Sequence, residues 1–172
     1  MITLAPIVEG DGEVLALPVL VRRIADAHGL YRVRVIRPFL LPRPKFLVPE
    51  EFERAVEIQA CRVEGSGGVL ALLDADDDCA LELTKRIRAN YRGGRQFSLV
   101  AAVREYKSLF LAGKVVRAED IRDAKGAVRA STGAYKETRH QARLSATVDL
   151  DDARACRWFR KLESELVAIL RG

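Results

Sequence analysis

The chain reads as an α/β protein with a mostly parallel, four-stranded sheet flanked by helices, and three observations predict this. Strand-like and helix-like segments alternate in the order β-α-β-α-β-α-β through residue 113, the order that puts parallel strands in one layer with helices on its faces. The run Gly68-Val69-Leu70-Ala71-Leu72-Leu73 has no polar alternation, as expected of a strand buried on both faces. Asp74, Asp76, Asp77 and Asp78 follow it directly, at the carboxyl end of a strand, where open α/β sheets carry their sites.

Residues 2–8, ITLAPIV, form the first strand, ending at the turn-rich Glu9-Gly10-Asp11-Gly12. A helical pattern then runs from Glu13 to His28 and is closed by Gly29, with Pro18 early in it or bending it. Arg32 to Arg37 alternates apolar and basic residues, which suits a strand near a sheet edge. The stretch FLLPRPKFLVPEEF is an irregular excursion punctuated by Pro42, Pro44 and Pro49, and Glu50 to Arg62 restores a helix. The central strand opens after Gly65-Ser66-Gly67-Gly68, a helix spans Ala80 to Tyr91, and Phe97 to Val103 is the fourth strand. A short helix with one apolar face fits Arg104 to Gly113. From Val115 to Thr147 apolar anchors are sparse, so loops and short helices are expected. Asp149 can cap a final helix whose Trp158, Phe159, Leu162, Leu166, Ile169 and Leu170 form an apolar stripe. The division is a core over 1–113 and a loop and helical extension over 114–172 packed on it, one domain overall.

The length of 172 residues suits one domain with a substantial core. No apolar stretch is long enough to span a bilayer, and the N-terminus has no basic segment before its hydrophobic run, so a cytoplasmic protein without membrane association is expected. Cys61, Cys79 and Cys156 lack CxxC spacing, which argues for buried free thiols rather than disulfides or zinc. The net charge of +5 conceals an asymmetry: residues 1–83 hold 9 Lys/Arg against 14 Asp/Glu, and residues 84–172 hold 20 against 10. An acidic half beside an Arg-rich one suits a metal site next to a phosphate-binding surface. Charges scattered over a solvated surface give the same totals.

Two readings compete for the aspartates. Asp77 or Asp78 as N-cap, with Glu82 in the first turn of the next helix, explains one or two of them. A converged set needs a cation, because two carboxylates about 4 Å apart repel by about 4 kcal/mol near a protein surface, while a helix dipole returns about 0.3–1 kcal/mol. Several motifs fail. Cys79 and Lys85 stand where an EF-hand loop needs its glycine and glutamate. Gly10-Asp11-Gly12 has neither the third glycine of a dinucleotide fingerprint nor a P-loop GK[ST]. Asp74-Ala75-Asp76 resembles the D-x-D of haloacid-dehalogenase-like phosphatases in that tripeptide alone, which leaves a phosphatase as a minor alternative. His28 and His140 are too far apart for a helical metal pair.

Glu9 ends the first strand and Asp74 with Asp76 ends the buried one, and in a doubly wound sheet those strand ends can lie side by side. A lone Glu followed 65 residues later by D-x-D resembles the Toprim domain of topoisomerases, primases and OLD-type nucleases. The wider sequence resembles an uncharacterised bacterial family, domain of unknown function 4276, regarded as Toprim-like: VEGDGE at 8–13, LLDADDDC at 72–79, REYKSLFLAG at 104–113, IRDAKG at 121–126, Tyr135, Gln141 and the WFRKL of the last helix carry the likeness. The resemblance implies a Toprim-like (Rossmann-like) fold and metal-dependent phosphoryl transfer. By position, it makes Glu9 a general acid/base or metal ligand, Asp74 and Asp76 magnesium (or manganese) ligands, and Asp78 and Glu105 candidate ligands of a second ion. Arg104 and Lys125 are the candidate cations near transition-state charge. Lys107, where similar sequences often have an acid, and His140, where they have Asp, depart from that pattern.

The expected function is therefore a Toprim-type nuclease using Mg2+ or Mn2+ on nucleic acid, in a defence or mobile-element setting with an ATPase partner. The alternative is a non-catalytic nucleic-acid or partner-binding module on the same fold. In both, Asp77 is left as the helix cap.

Overall fold

The computed structural model describes residues 1–115 and 117–172. Five strands form one parallel sheet: β1 (Ile2–Val8), β2 (Val33–Val35), β3 (Phe39–Leu40), β4 (Gly67–Asp74) and β5 (Phe97–Ala102). Their order is β2-β1-β4-β5, and β3 also pairs with β1. The sheet is thus four strands wide, with an interrupted edge where one strand was expected over 32–37. Ile36 N–H still donates to Leu4 O at 3.0 Å and Leu41 N–H to Val8 O at 2.8 Å. Pro38 lies between them and has no N–H to give, so the ladder breaks there.

The buried strands alternate between two cores. Leu4, Val8, Leu70, Leu72, Val100 and Ala102 face one layer, and Ala5, Ile7, Val69, Ala71, Leu73, Leu99 and Ala101 the other. Covering the first are α1 (Asp11–Ala27), which contains Pro18, and α8 (Arg157–Arg171). The other is covered by α3 (Pro49–Ala60) and α4 (Ala80–Asn90), with the short α2 (Arg43–Phe46) ahead of them. Truncating a fully buried residue such as Leu70 to Ala costs about 2–5 kcal/mol. Gly67 is required where β4 enters the sheet: its φ is +135°, and a Cβ would lie 1.9 Å from Thr3 O.

After β5 the chain forms a 3-10 turn over Tyr106–Leu111, another over Ala118–Asp120, then α5 (Ala124–Thr132), α6 (Glu137–Thr147) and the four-residue α7 (Leu150–Ala153). The sparse apolar content of 115–147 resolves into helices anchored by few residues, Ala124, Val128, Tyr135, Gln141 and Ser145 among them. The helix expected to start at Asp149 is broken: Asp149 caps α7 by accepting from the N–H groups of Asp151 and Asp152, and α8 starts afresh at Arg157. Its stripe is buried as expected at Trp158, Phe159, Leu162, Leu166 and Leu170. Two cysteine expectations fail, since Cys61 and Cys79 are exposed; Cys156 is buried, and burial pushes its thiol up to about 11. Among the described residues no helix is long and apolar enough to cross a membrane.

Candidate metal centre at the carboxyl edge of the sheet

Sheet register brings Glu9 and Asp74 together. Val8 pairs with Leu72 and Asp74 with Ala102, so Glu9 leaves β1 beside the last residues of β4. Glu9 Oε2 accepts the backbone N–H of Asp74 at 3.0 Å, and Asp74 Oδ1 accepts that of Tyr106 at 2.7 Å. Burial raises the proton affinity of both carboxyls, against the Asp74 N–H and Arg43 at Glu9 and against Lys107 and the Tyr106 N–H at Asp74. Glu13 lies near both and adds to the effect. A partly buried carboxylate of this kind is stabilised by a cation.

Positive charge enters from two flanks, led by Arg43 on one and Lys107 on the other. Arg43, delivered by α2, donates to the carbonyls of Asp74 and Ala75 and to Asp78 Oδ2 at 2.7 Å. It also lies 3.5 Å from Asp76 Oδ2 and 4.0 Å from Glu9 Oε2. Asp76 has φ of 50° and donates its N–H to the carbonyl of Arg104, whose φ is 60°. Left-handed non-glycine residues cost about 1–2 kcal/mol each, and such strain concentrates at functional sites. On the opposite flank, Lys107 Nζ lies 3.4 Å from Glu105 Oε2, 3.5 Å from Glu137 Oε1 and 3.9 Å from Asp74 Oδ2. Burial opposes its charge, but Asp74, Glu105, Glu13 and Glu137 together outweigh that and keep it protonated.

On the Lys107 flank opens a cavity of about 250 Å3 lined by Glu9, Asp11, Glu13, Asp74, Lys107 and Glu137, among others. Glu13, in the first turn of α1, is only 8% exposed. Gln141 of α6 donates its amide to Glu13, and the Tyr135 hydroxyl donates to Gln141 Oε1 at 3.2 Å. Burial pushes the Tyr135 hydroxyl well above its ordinary value, so it stays a donor. Gly12 allows the close approach: a Cβ there would lie 2.2 Å from Gln141 Oε1 and 3.0 Å from Glu137 Cβ. The Gly10-Asp11-Gly12 turn thus serves helix packing.

Of the sequence-predicted residues, Glu9 and Asp74 meet directly. Asp76 and Asp78 stand on the Arg43 flank, with side chains 52% and 49% exposed. Glu105 lies on the Lys107 flank. Lys125 reaches the same flank, its Nζ 3.2 Å from Glu137 Oε1. Arg104 turns away to Asp77 Oδ1, at 2.9 Å. Asp77 is not the helix cap; Cys79 occupies that position, without a side-chain hydrogen bond. Sequence reasoning passed over Glu13, Arg43 and Glu137, and marked Lys107 only as a departure from the family pattern. Glu13 had a signal in its motif, four residues after Glu9, but was absorbed into the start of a helix.

The donor set suits a hard cation, since every acid here offers carboxylate oxygen. Glu105 Oε2 is buried and makes no hydrogen bond among the described residues; its ion-pair partner is Lys107 Nζ at 3.4 Å. Among the described residues no three His, Cys, Asp or Glu side chains are already gathered around one point at metal distance. Magnesium does not need such a cage, because it keeps several waters and takes one or two carboxylates plus substrate phosphate. Glu9 and Asp74 meet that requirement.

The fold is a Toprim-like α/β one, with the acids at the carboxyl ends of its strands. Among solved structures, the C-terminal region of the Burkholderia pseudomallei OLD protein matches with a TM-score of 0.50 and 13% identity over 99% of each chain. The C-terminal region of the Xanthomonas campestris pv. campestris OLD protein matches with a TM-score of 0.48 and 11% identity, over 98% of this chain and 95% of that one. No protein-family profile and no curated protein matches the chain.

Proposed function

We infer that this protein is a magnesium- or manganese-dependent phosphodiester hydrolase, a Toprim-type nuclease acting on nucleic acid. The observation that carries the reading is the meeting of Glu9 and Asp74 from neighbouring strands, both raised by burial and open to one cavity. In this reading Asp74 and Asp76 are metal ligands, Asp78 and Glu105 are reserve ligands, and Glu9 is a ligand or moves a proton to or from the attacking water. The bound ion would polarise the scissile phosphate. Lys125 would add positive charge beside it, whereas Arg104, expected in the same role, is paired with Asp77. An ATPase partner and membership of the uncharacterised bacterial family named by its segments belong to the same reading.

Glu9→Ala and Asp74→Ala are each expected to abolish Mg2+- or Mn2+-dependent cleavage of plasmid and single-stranded DNA and of RNA. Cleavage left intact in both variants would sink the assignment. The pairing of Arg43 with Glu9, Asp76 and Asp78 favours a second reading, a non-catalytic module whose acids are neutralised internally. It predicts nucleic-acid or ATPase binding with no turnover under any divalent metal.

A further inference from the structure

Lys107 is set apart by the number of acids that share it. It is the second residue of the 3-10 turn Tyr106–Leu111 and is 8% exposed, and its ammonium faces Asp74 from β4, Glu105 from the loop after β5 and Glu137 from α6. All three separations, 3.4–3.9 Å, exceed the roughly 2.7–2.9 Å of a charge-assisted hydrogen bond. The ammonium is therefore held among the three carboxylates rather than bonded to one of them. Three carboxylates thus face one side-chain cation, at separations longer than a divalent ion's roughly 2.0–2.6 Å.

A two-ion centre places its metals about 3.5–4 Å apart and shares a carboxylate between them. For Asp74 to be that shared ligand, the second ion would need oxygens on its Lys107 flank, from Glu105 or Glu137. Those oxygens already surround Lys107. On the other flank Arg43 ties down Asp78 and the carbonyls of Asp74 and Ala75 by hydrogen bonds that anchor the loop.

We propose that Lys107 is the fixed second positive charge of this centre, so that the site takes a single divalent ion at Glu9 and Asp74, with the Lys107 ammonium in place of a second ion. The proposal rests on the metal-dependent reading above. A substrate phosphate would then meet one exchangeable metal ion and one permanent point charge. Lys107 is also charged before any metal arrives, and it partly compensates the Asp74 carboxylate in the metal-free protein.

Ion counting tests this without reference to activity. The full chain is stripped of metal, titrated with Mn2+, and bound ions are counted by calorimetry and by electron paramagnetic resonance. Wild type is expected to bind one Mn2+ with an uncoupled signal, Asp74→Asn none, Lys107→Arg one, and Lys107→Gln two with a spin-coupled signal. Two coupled ions on the wild type would overturn the proposal while leaving the metal-dependent reading intact. No ion on the wild type would overturn both. A folded Lys107→Gln protein, judged by circular dichroism, that still binds one ion would also overturn it. If Lys107→Gln does not fold, the wild-type count decides alone.

Discussion

Asp74 carries opposed demands: its side chain is 16% exposed, yet the proposed chemistry needs it charged. Its proton affinity is raised well above the ordinary carboxylate value by burial, so the native state holds that proton more tightly than the unfolded chain does. The stability this contributes is present below the ordinary pKa of 3.8 and is lost as pH rises through the higher native value. Asp74→Asn removes the loss. In chelator it is expected to be more stable than wild type at pH 7 by about 1 kcal/mol, with the difference shrinking toward pH 3, as read from thermal melts across pH. A difference that does not change with pH would mean that Asp74 does not titrate as its burial requires. Saturating Mn2+ should reverse the order, because an ion at about 100 times its Kd stabilises the native state by about 2.7 kcal/mol, and the Asn variant should gain little.

At the scale of elements, the residues after β4 are held by a helix from elsewhere in the chain. Arg43 of α2 bonds two carbonyls and one carboxylate of residues 74–78, while Asp76 and Arg104 meet in left-handed conformation. Arg43→Ala is expected to cost about 1–3 kcal/mol by leaving those acceptors unmet, and to speed amide exchange at Ala75, Asp76 and Asp78 in particular. Uniform acceleration across the sheet would point to global destabilisation instead. On the other side of the cavity, α1 and α6 approach closely because Gly12 has no side chain. Gly12→Ala should cost about 1–3 kcal/mol in urea melts by overpacking, since Gln141 is fully buried and bonded to Glu13 and Tyr135. The α1–α6 contact was not visible in the sequence: α6 has few apolar residues, and a buried Gln gives no periodic signal.

The whole molecule sets an acidic strand edge within a chain whose residues 84–172 hold 20 Lys/Arg against 10 Asp/Glu. If that half carries the nucleic-acid backbone, duplex binding should weaken steeply with salt. A contact with about five phosphates gives a log-log slope of about −4.5, measurable by anisotropy from low to moderate ionic strength. A slope near zero would argue against the phosphate surface. Many of these cations are already engaged, as with Arg154 and Lys161 paired to Glu163 and Glu165 of α8, so totals alone overstate the free positive charge.

The sequence by itself determined the parallel α/β layer and the position of Asp74, because an uninterrupted apolar run followed by acids has few other solutions. It also placed Glu9 at a strand end and the apolar stripe of α8 in the core. Only the tertiary structure decided which charges face one another. Strand register, set by the pairing of β1 with β4, joins Glu9 to Asp74 across 65 residues. The excursion carrying Arg43 and the weakly patterned helix carrying Glu137 and Gln141 reach the site through packing, and packing between distant segments leaves no local periodicity to read. That is why the strand-end acids were legible and the cations that hold them were not.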